Sequence, residues 1–419
     1  MNKQVNTICT ALLLAAILIV CILPVKKAVA QDNMLETYQD EAASNNANLQ
    51  AYYYQYLAGV EKIVQTRLLP MTELSAIYFP QPLVLQMDQQ LAGVRAMQSF
   101  PWFGTRKVMQ ESAAYNAQFA LEQYQQIRNQ LFFDVAGTFY ELMQLEEEIR
   151  LMRSNIELLE SIEQIVITRY ETGRASMADL ILIEVEKEDL KIQLLKLEEK
   201  KNPLHNRFAA LLNREYEGFF ALPDTFEARQ LTDPMAELKD SMLLQHPGIE
   251  SYIYKELAYA EQQQLARKSG LPSFGIGVEY MAMQNLENNN HSAMFMPMVS
   301  LRLPFQRKVY QAREQEAVFN RKAASFQKVQ AQNQLITKWE EWVSRYQDAQ
   351  RRIPLYINQL DRMEQALSII LEDYSAGRKT FDEMLNVQRR ILEFEMELVN
   401  AKKDNNTAVA GLTYLYRRP

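Results

Sequence analysis

Cysteine is almost missing from this chain, because its only two, Cys9 and Cys21, lie within the first 30 residues. The rest of the chain can therefore form no disulfide, and it holds no thiolate that could act as a nucleophile or bind a metal. An uncharged run of sixteen residues from Ile8 to Leu23 is followed by the small residues Ala28-Val29-Ala30. We predict a cleaved signal peptide over residues 1–30. An uncleaved anchor is the alternative, although the run is shorter than the roughly 20 residues of a spanning helix.

Basic residues are outnumbered, with 45 Lys and Arg against 52 Asp and Glu and a formal net charge of −7. A chain of this charge has no electrostatic attraction for phosphates, which excludes nucleic-acid binding. Long apolar runs are lacking after residue 30, so a mature chain that enters a membrane must do so through strands of a closed barrel. The sequence also lacks a phosphate-binding glycine loop, a nucleophile constellation and a metalloprotease motif, and we predict neither enzymatic activity nor a cofactor.

Glycine and proline, the residues that interrupt helices, are scarce. No glycine occurs between residues 277 and 377, and neither residue type occurs between residues 137 and 173. We predict two long helices, from about residue 104 to 170 and from about residue 307 to 374, each about 100 Å long. Apolar residues at alternating spacings of four and three predict coiled-coil seams. These seams comprise Leu145, Ile149, Met152, Ile156 and Leu159, and Met384, Val387, Ile391, Phe394, Leu398 and Ala401.

An internal repeat organises the chain. The segment RYETGR at residues 169–174 returns as DYSAGR at residues 373–378, and RKVMQ at residues 106–110 returns as RKVYQ at residues 307–311. Matched blocks in one order indicate a tandem duplication, in which each copy holds a helix, strands, a long helix, a tight turn and a return helix. The predicted boundaries are 31–220 for the first repeat, 221–245 for a linker and 246–419 for the second repeat.

The stretch from residue 273 to 303 alternates in polarity with a period of two. Phe274, Ile276 and Val278 belong to a continuous apolar face, and the opposite face is mixed. This pattern is typical of a transmembrane barrel hairpin, here with a polar loop over residues 284–292 that includes His291. A second, less regular hairpin is predicted around residues 92–97, with its partner strand between residues 74 and 87. Four strands cannot close a barrel, but three subunits would supply twelve.

Five methionines share the mixed face of the predicted second hairpin: Met281, Met283, Met294, Met296 and Met298. That face would be turned toward the lumen of a barrel. Thioether sulfur is a soft donor that suits Cu(I) or Ag(I), so these side chains are candidate contacts for a soft metal ion. The alternative is that methionine fills space among crowded side chains.

Together these features resemble the TolC family of outer-membrane efflux proteins, with the heavy-metal, CusC-like branch as one option. The resemblance rests on the duplication, the FPWFG junction at residues 100–104 and the two Tyr-x-x-Gly turns at Tyr170 and Tyr374. It implies a mostly α protein with membrane β-barrel strands: a homotrimer with a twelve-stranded barrel in outer-membrane lipid and a long helical tunnel in the periplasm. Such a duct would dock on a periplasmic membrane-fusion adaptor and an inner-membrane RND-type pump.

The resemblance also implies roles for the residues at the two turns. The adaptor-docking tips map to Gly173, Arg174, Ala175 and Ser176, and to Gly377, Arg378, Lys379 and Thr380. Leucine is usual after each tip glycine in the family, whereas both copies here carry arginine, which suggests a partner with acidic or hydrogen-bonding groups. The family's acidic entrance gate maps to Glu383, with Asp382 and Asp179 as secondary candidates. The alternative is that these are ordinary acids on a solvated helix face.

The leading interpretation is a passive exit duct for metal ions, drugs or other small solutes. A type I protein-secretion outlet is one alternative. A periplasmic coiled-coil scaffold held by an uncleaved N-terminal anchor is another, and it differs in that residues 273–303 would not contact lipid.

Overall fold

A computed structural model describes residues 33–85, 88–216, 218, 220–231, 234–285 and 291–416. The predicted signal peptide lies outside these residues. A first helix, α1, covers residues 33–45. It is followed by α2 (Ala47–Arg67), β1 (Glu73–Leu85), β2 (Asp88–Phe100), α3 (Thr105–Glu171), α4 (Met177–Leu212), α5 (Met235–Gln245), α6 (Pro247–Ser269), β3 (Ser273–Asn285), β4 (His291–Arg302), α7 (Arg307–Ser375) and α8 (Phe381–Tyr416).

The two long helices are confirmed, with 67 residues in α3 and 69 in α7. Their bounds differ from the predicted ones by one residue or less. Gly104 directly precedes α3, where the chain changes from strand to helix. Its φ of +76° is in the left-handed region, which favours glycine. Among the residues that the structure describes, no helix is both long enough and apolar enough to cross a membrane.

The duplicated order of elements is also present. The series α2, β1, β2, α3, α4 matches the series α6, β3, β4, α7, α8. The segment predicted to be a linker, residues 221–245, differs from a plain connection because α5 occupies its end. Pro234 precedes this helix, and Leu238 and Met242, one turn apart, are its buried residues.

The described chain divides into two compact units. One comprises the chain up to Gln50, together with Ile127–His246 and the chain from Gln334 onward. The other comprises Ala51–Gln126 and Pro247–Asn333. The first unit holds the two tip turns, and the second holds the strands.

The predicted seams form the core of the first unit near the tips. Ile149 and Met152 of α3, Ile183 of α4 and Met384 of α8 are at most 2 % exposed and belong to one apolar cluster. Nearer the end of α8, Gly411 lies against the ring of Trp342, since a Cβ at this glycine would come within 2.6 Å of the indole. Burial of such side chains is the main source of stability for helices that pack in this way.

The second unit contains one antiparallel sheet in the order β1-β2-β3-β4. The partner strand of the first hairpin lies where it was expected, as β1. Its register shifts between Tyr78 and Leu83, a stretch that contains Pro80 and Pro82. Proline has no N–H to donate to a ladder, which explains why the sequence pattern is irregular there.

The second hairpin is longer than the sequence predicted. β3 continues to Asn285 and β4 begins at His291, so the predicted polar loop was too long at both ends. His291 pairs with Gln284 on the strands rather than lying in the loop. Polar residues were read as loop, although strand ends near a hairpin tip carry polar side chains as well.

Candidate functional site

The sheet has two unlike faces. On β3, Glu279, Met281 and Met283 are buried, whereas Ile276 and Tyr280, which belong to the alternating apolar row, are more than half exposed. Cross-strand pairing places Met294 opposite Met281, Met296 opposite Glu279 and Met298 opposite Gly277. Directly paired residues share a face. The five methionines therefore lie on one face, while the opposite, apolar face is uncovered in the subunit.

Met97 of β2 also lies on this methionine face, although it was not among the five methionines predicted from the sequence. It pairs with Gly277, and its sulfur lies close enough that a Cβ there would be 2.9 Å away. The sulfur of Met281 occupies the corresponding position over Gly93, at 3.0 Å from a built Cβ. These two thioethers fill the gaps that the glycines leave, which favours the packing interpretation for them. Met294 on the edge strand is 44 % exposed.

An ion pair on the methionine face joins the first sequence repeat to the second within one chain. Arg95 of β2 donates from Nη2 to Oε2 of Glu279 on β3 at 3.0 Å, and from Nε at 3.2 Å. Only 7 % of the Glu279 side chain is exposed, compared with 37 % of Arg95. The sequence contains both residues on the mixed face, but their pairing depends on the register between hairpins, which periodicity alone does not fix.

The two tip turns have the same backbone. Gly173 and Gly377 adopt φ of +71° and +76°, and a Cβ at either would meet nothing within 4 Å. Glycine is therefore required by the conformation and not by crowding. The N–H of Arg174 donates to the carbonyl of Arg169 at 2.7 Å, and that of Arg378 donates to the carbonyl of Asp373 at 2.9 Å, which are helix C-capping bonds.

The two tip arginines are not equivalent. Arg378 forms an ion pair with Asp373 at 2.6 Å, whereas Arg174 has no ion-pair partner among the described residues. At the position that matches Asp373 the first copy carries Arg169. This arginine stacks 4.3 Å from the ring centroid of Tyr374 and donates to the Tyr374 carbonyl, so it ties the first tip to the second. Burial raises the pKa of Tyr374.

The remaining first-tip residues hold the turn together. The N–H of Asp179 donates to Oγ of Ser176 at 3.2 Å, and the N–H of Ser176 donates to Oδ2 of Asp179 at 3.1 Å. This reciprocal pair is a capping box at the start of α4. Ala175 packs on the apolar cluster. Asp179 therefore has a local structural role at the start of α4.

The acids of the second tip also have local partners. Glu383 forms an ion pair with Lys379 at 2.8 Å, and the hydrogen bond from the lysine to this carboxylate raises the pKa of Lys379. The N–H of Glu383 donates to Oγ1 of Thr380 at 3.4 Å. Asp382 accepts a hydrogen bond from Asn386 at 3.0 Å but forms no ion pair with any described residue. In one subunit, the negative charge of Asp382 is thus the less compensated of the two.

An ion pair with a buried carboxylate joins the first repeat to the second, and the sequence did not predict it. Arg389 of α8 donates from Nε and Nη2 to Oε2 of Glu186 on α4, and 11 % of the Glu186 side chain is exposed. Glu186 stands in the seam of α4, between Ile183 and Leu190 at spacings of three and four. An acidic residue at a seam position was the available signal, because such a residue is buried and needs a partner.

The comparisons with known proteins agree with this architecture. Residues 238–416 match the model of the outer membrane efflux protein family. Among solved structures, the chain is similar to VceC from Vibrio cholerae, with 16 % identity, a TM-score of 0.74 and coverage of 91 % of this chain and 95 % of that one. It is also similar to CusC, with 15 % identity, a TM-score of 0.77 and coverage of 92 % of each chain. No curated protein matches the chain.

The fold is therefore that of the outer-membrane efflux channels. In sequence, residues 238–416 are similar to the outer membrane efflux protein family. That family consists of outer-membrane efflux channels, which are transporters and not enzymes.

Proposed function

We propose that three copies of this chain form a passive exit duct that carries small solutes from a periplasmic adaptor and an inner-membrane RND-type pump to the outside. The observation that carries the proposal is the four-stranded sheet with an uncovered apolar face and a mixed, partly buried face. An apolar face such as this is stable when lipid covers it, and a mixed face is stable when it lines water.

Closure of the sheet requires more than one subunit. In the single chain, β1 and β4 are edge strands, with one neighbour each. Exposed edges of long strands carry unpaired backbone groups, which lipid cannot satisfy. Pairing of β4 with β1 of the next subunit, three times over, removes every edge and gives twelve strands.

The cargo that we propose is a small solute, with soft metal ions as one substrate class. Met294, Met296 and Met298 on β4 support that class, since a trimer would present them three times around the lumen. Met97 and Met281 support it less, because they fill glycine gaps. Drugs and other small solutes would pass the same duct.

Docking would occur at the tip turns, with Arg174 as the leading contact. Its charge is uncompensated, whereas that of Arg378 is shared with Asp373. An exposed guanidinium offers a planar set of donors to an acidic or hydrogen-bonding partner. We propose that Glu383, with Asp382 and Asp179 as secondary candidates, narrows the entrance beside these tips.

Adjacent cysteines on β4 test the membrane placement. Val299 is 83 % exposed on the apolar face, and Met298, the residue before it, is on the methionine face. In a background with Cys9 and Cys21 replaced by serine, Val299→Cys and Met298→Cys would each carry one thiol. Outer-membrane vesicles are treated with a charged, water-soluble maleimide or with a lipid-soluble one.

We expect Met298→Cys to react with the water-soluble reagent through the lumen, and Val299→Cys to react with the lipid-soluble reagent alone. The coiled-coil scaffold would leave both residues in water. Equal reaction of both thiols with the water-soluble reagent, at normal trimer yield, would therefore contradict the duct.

A further inference from the structure

A cavity of about 660 Å³ lies where the sheet meets the helices of the second unit. It is bounded by the end of α6, the end of β4 and the beginnings of α3 and α7. Its lining side chains include Trp102, Thr105, Lys268, Arg302 and Phe305. A cavity of this size is large enough for a ligand head group.

The charge of the cavity is entirely positive. Lys268 and Arg302 line it, and none of its lining residues is an aspartate or glutamate, although the chain as a whole is acidic. Nζ of Lys268 donates to the carbonyl of Phe103 at 3.4 Å, and neither basic residue forms an ion pair with any described carboxylate. The neighbouring Arg267, by contrast, pairs with Glu314 at 2.7 Å. Two uncompensated cations therefore favour an anionic ligand.

A hydroxyl in the same cavity lacks a partner. Thr105 is 5 % exposed, and its Oγ1 makes no hydrogen bond within the part of the chain that the structure describes. Buried polar atoms are nearly always hydrogen-bonded, so an orphaned hydroxyl calls for an acceptor or donor from outside the chain. A phosphate oxygen would satisfy it.

The rim of the cavity is apolar and exposed. Phe103 and Phe305 are 79 % and 86 % exposed. Trp102 stacks on Phe274 with ring centroids 5.6 Å apart, and Phe274 is the first residue of the apolar row on β3. The rim is therefore continuous with the face that we propose to contact lipid, and aromatic side chains at such a position are typical of the membrane interface.

From the positive lining, the orphaned hydroxyl and the aromatic rim, we infer that this cavity binds the phosphate head group of an anionic glycerophospholipid. The acyl chains of that lipid lie along the apolar face of the sheet. Lys268 holds the phosphate and Thr105 donates to one of its oxygens. Arg302, the last residue of β4, lies on the methionine face through its pairing with Ser273, and it adds positive charge to the cavity from the end of the strand. This inference rests on the proposed membrane placement of the strands.

Trp102 provides a local readout. The full chain is reconstituted as a trimer in phosphatidylcholine vesicles that contain a minor fraction of either brominated phosphatidylglycerol or brominated phosphatidylcholine, and quenching of tryptophan fluorescence is measured. A Trp102→Phe variant identifies the contribution of this residue among the three tryptophans. We expect stronger quenching by the anionic lipid. Lys268→Gln and Arg302→Gln should each weaken that preference about five-fold.

Lys308→Gln is the matched control, because Lys308 is an exposed cation of the same junction that does not line the cavity. It should leave the lipid preference unchanged, and an equal loss in this control would overturn the site in favour of diffuse surface attraction. Arg302→Gln breaks no ion pair among the described residues, so it remains informative if Lys268→Gln lowers trimer yield.

Two further outcomes separate the alternatives. Equal quenching by both brominated lipids would overturn the site while leaving the duct intact, whereas no quenching by either would overturn the membrane placement as well. Inorganic phosphate, compared with chloride at equal ionic strength, should not reduce the preference. If phosphate but not chloride abolished the preference for the anionic lipid, the cavity would be assigned to a free anion, and the assignment to a lipid head group would be overturned.

Discussion

The ion pair between Arg95 and Glu279 offers the most direct test of which face lines the channel. The two side chains meet at 3.0 Å on the methionine face, so the pair contributes no net charge there. Glu279→Gln would leave three unpaired guanidinium groups in a trimer. Arg95→Gln would leave three unpaired carboxylates, and the two changes should thus shift ion selectivity in opposite directions.

The size of this shift follows from Coulomb's law with screening. In a twelve-stranded barrel the charges would lie about 10 Å from the axis. Three unit charges at that distance in water give about 1 kcal/mol unscreened, and about 0.4 kcal/mol at an ionic strength of about 0.1 M, where the Debye length is about 10 Å. Ions of one sign are then enriched about two-fold and those of the other sign depleted equally. The permeability ratio should change about four-fold, and the change should vanish near 1 M salt.

Reversal potentials in planar bilayers under a potassium chloride gradient measure this ratio. Glu279→Gln should move the channel toward chloride and Arg95→Gln toward potassium. The double variant, with both residues changed to glutamine, should return to the wild-type value because it removes one charge of each sign. If intact trimers of both single variants keep the wild-type ratio at low salt, the methionine face does not line the pore.

The same pair predicts unequal stability. Arg95→Gln leaves the buried Glu279 carboxylate without its cation, whereas Glu279→Gln leaves a guanidinium that is 37 % exposed and can be hydrated. The loss of trimer stability should be greater for Arg95→Gln, by about 1–3 kcal/mol. The temperature at which the trimer dissociates on a gel compares the two variants, and equal temperatures would argue against burial of the carboxylate.

Other substitutions test the tips and the helix packing. Arg174→Glu should reduce efflux in cells more than Arg378→Glu at equal trimer yield, because an aspartate in the same turn already shares the charge of Arg378. Glu383→Gln should weaken the cation preference and cation block of the channel in bilayers, and an unchanged channel would assign Glu383 to a solvated helix face. Gly411→Ala should lower trimer stability by about 1–3 kcal/mol through overlap with an indole ring, whereas Gly137→Ala, where a Cβ meets nothing within 4 Å, should raise it by up to about 1 kcal/mol.

The sequence predicted what depends on local periodicity. The bounds of α3 and α7 followed from the scarcity of glycine and proline, and the methionine face followed from alternation along one hairpin. Contacts between the copies could not be predicted in the same way. The Arg95–Glu279 pair depends on how one hairpin registers against the other, and the Arg389–Glu186 pair depends on which helices become neighbours. The irregular strand β1 was placed only approximately, since its prolines break the pattern that periodicity needs.

The duplication explains why the two tips differ in chemistry despite equal backbones. Both turns keep the glycine because the positive φ requires it. The position before each tyrosine is free of that constraint, and it is Arg169 in one copy and Asp373 in the other.

The residue at this position determines whether the arginine that follows the tip glycine has an ion-pair partner. Asp373 binds Arg378 within the second tip, and Arg169 instead contacts Tyr374 across the copies, which leaves Arg174 unpaired at the first tip. A trimer would thus present three tips with an uncompensated cation, alternating with three whose cation is shared. A partner that recognises charge would distinguish the two kinds of tip, so docking should depend more strongly on the first copy than on the second.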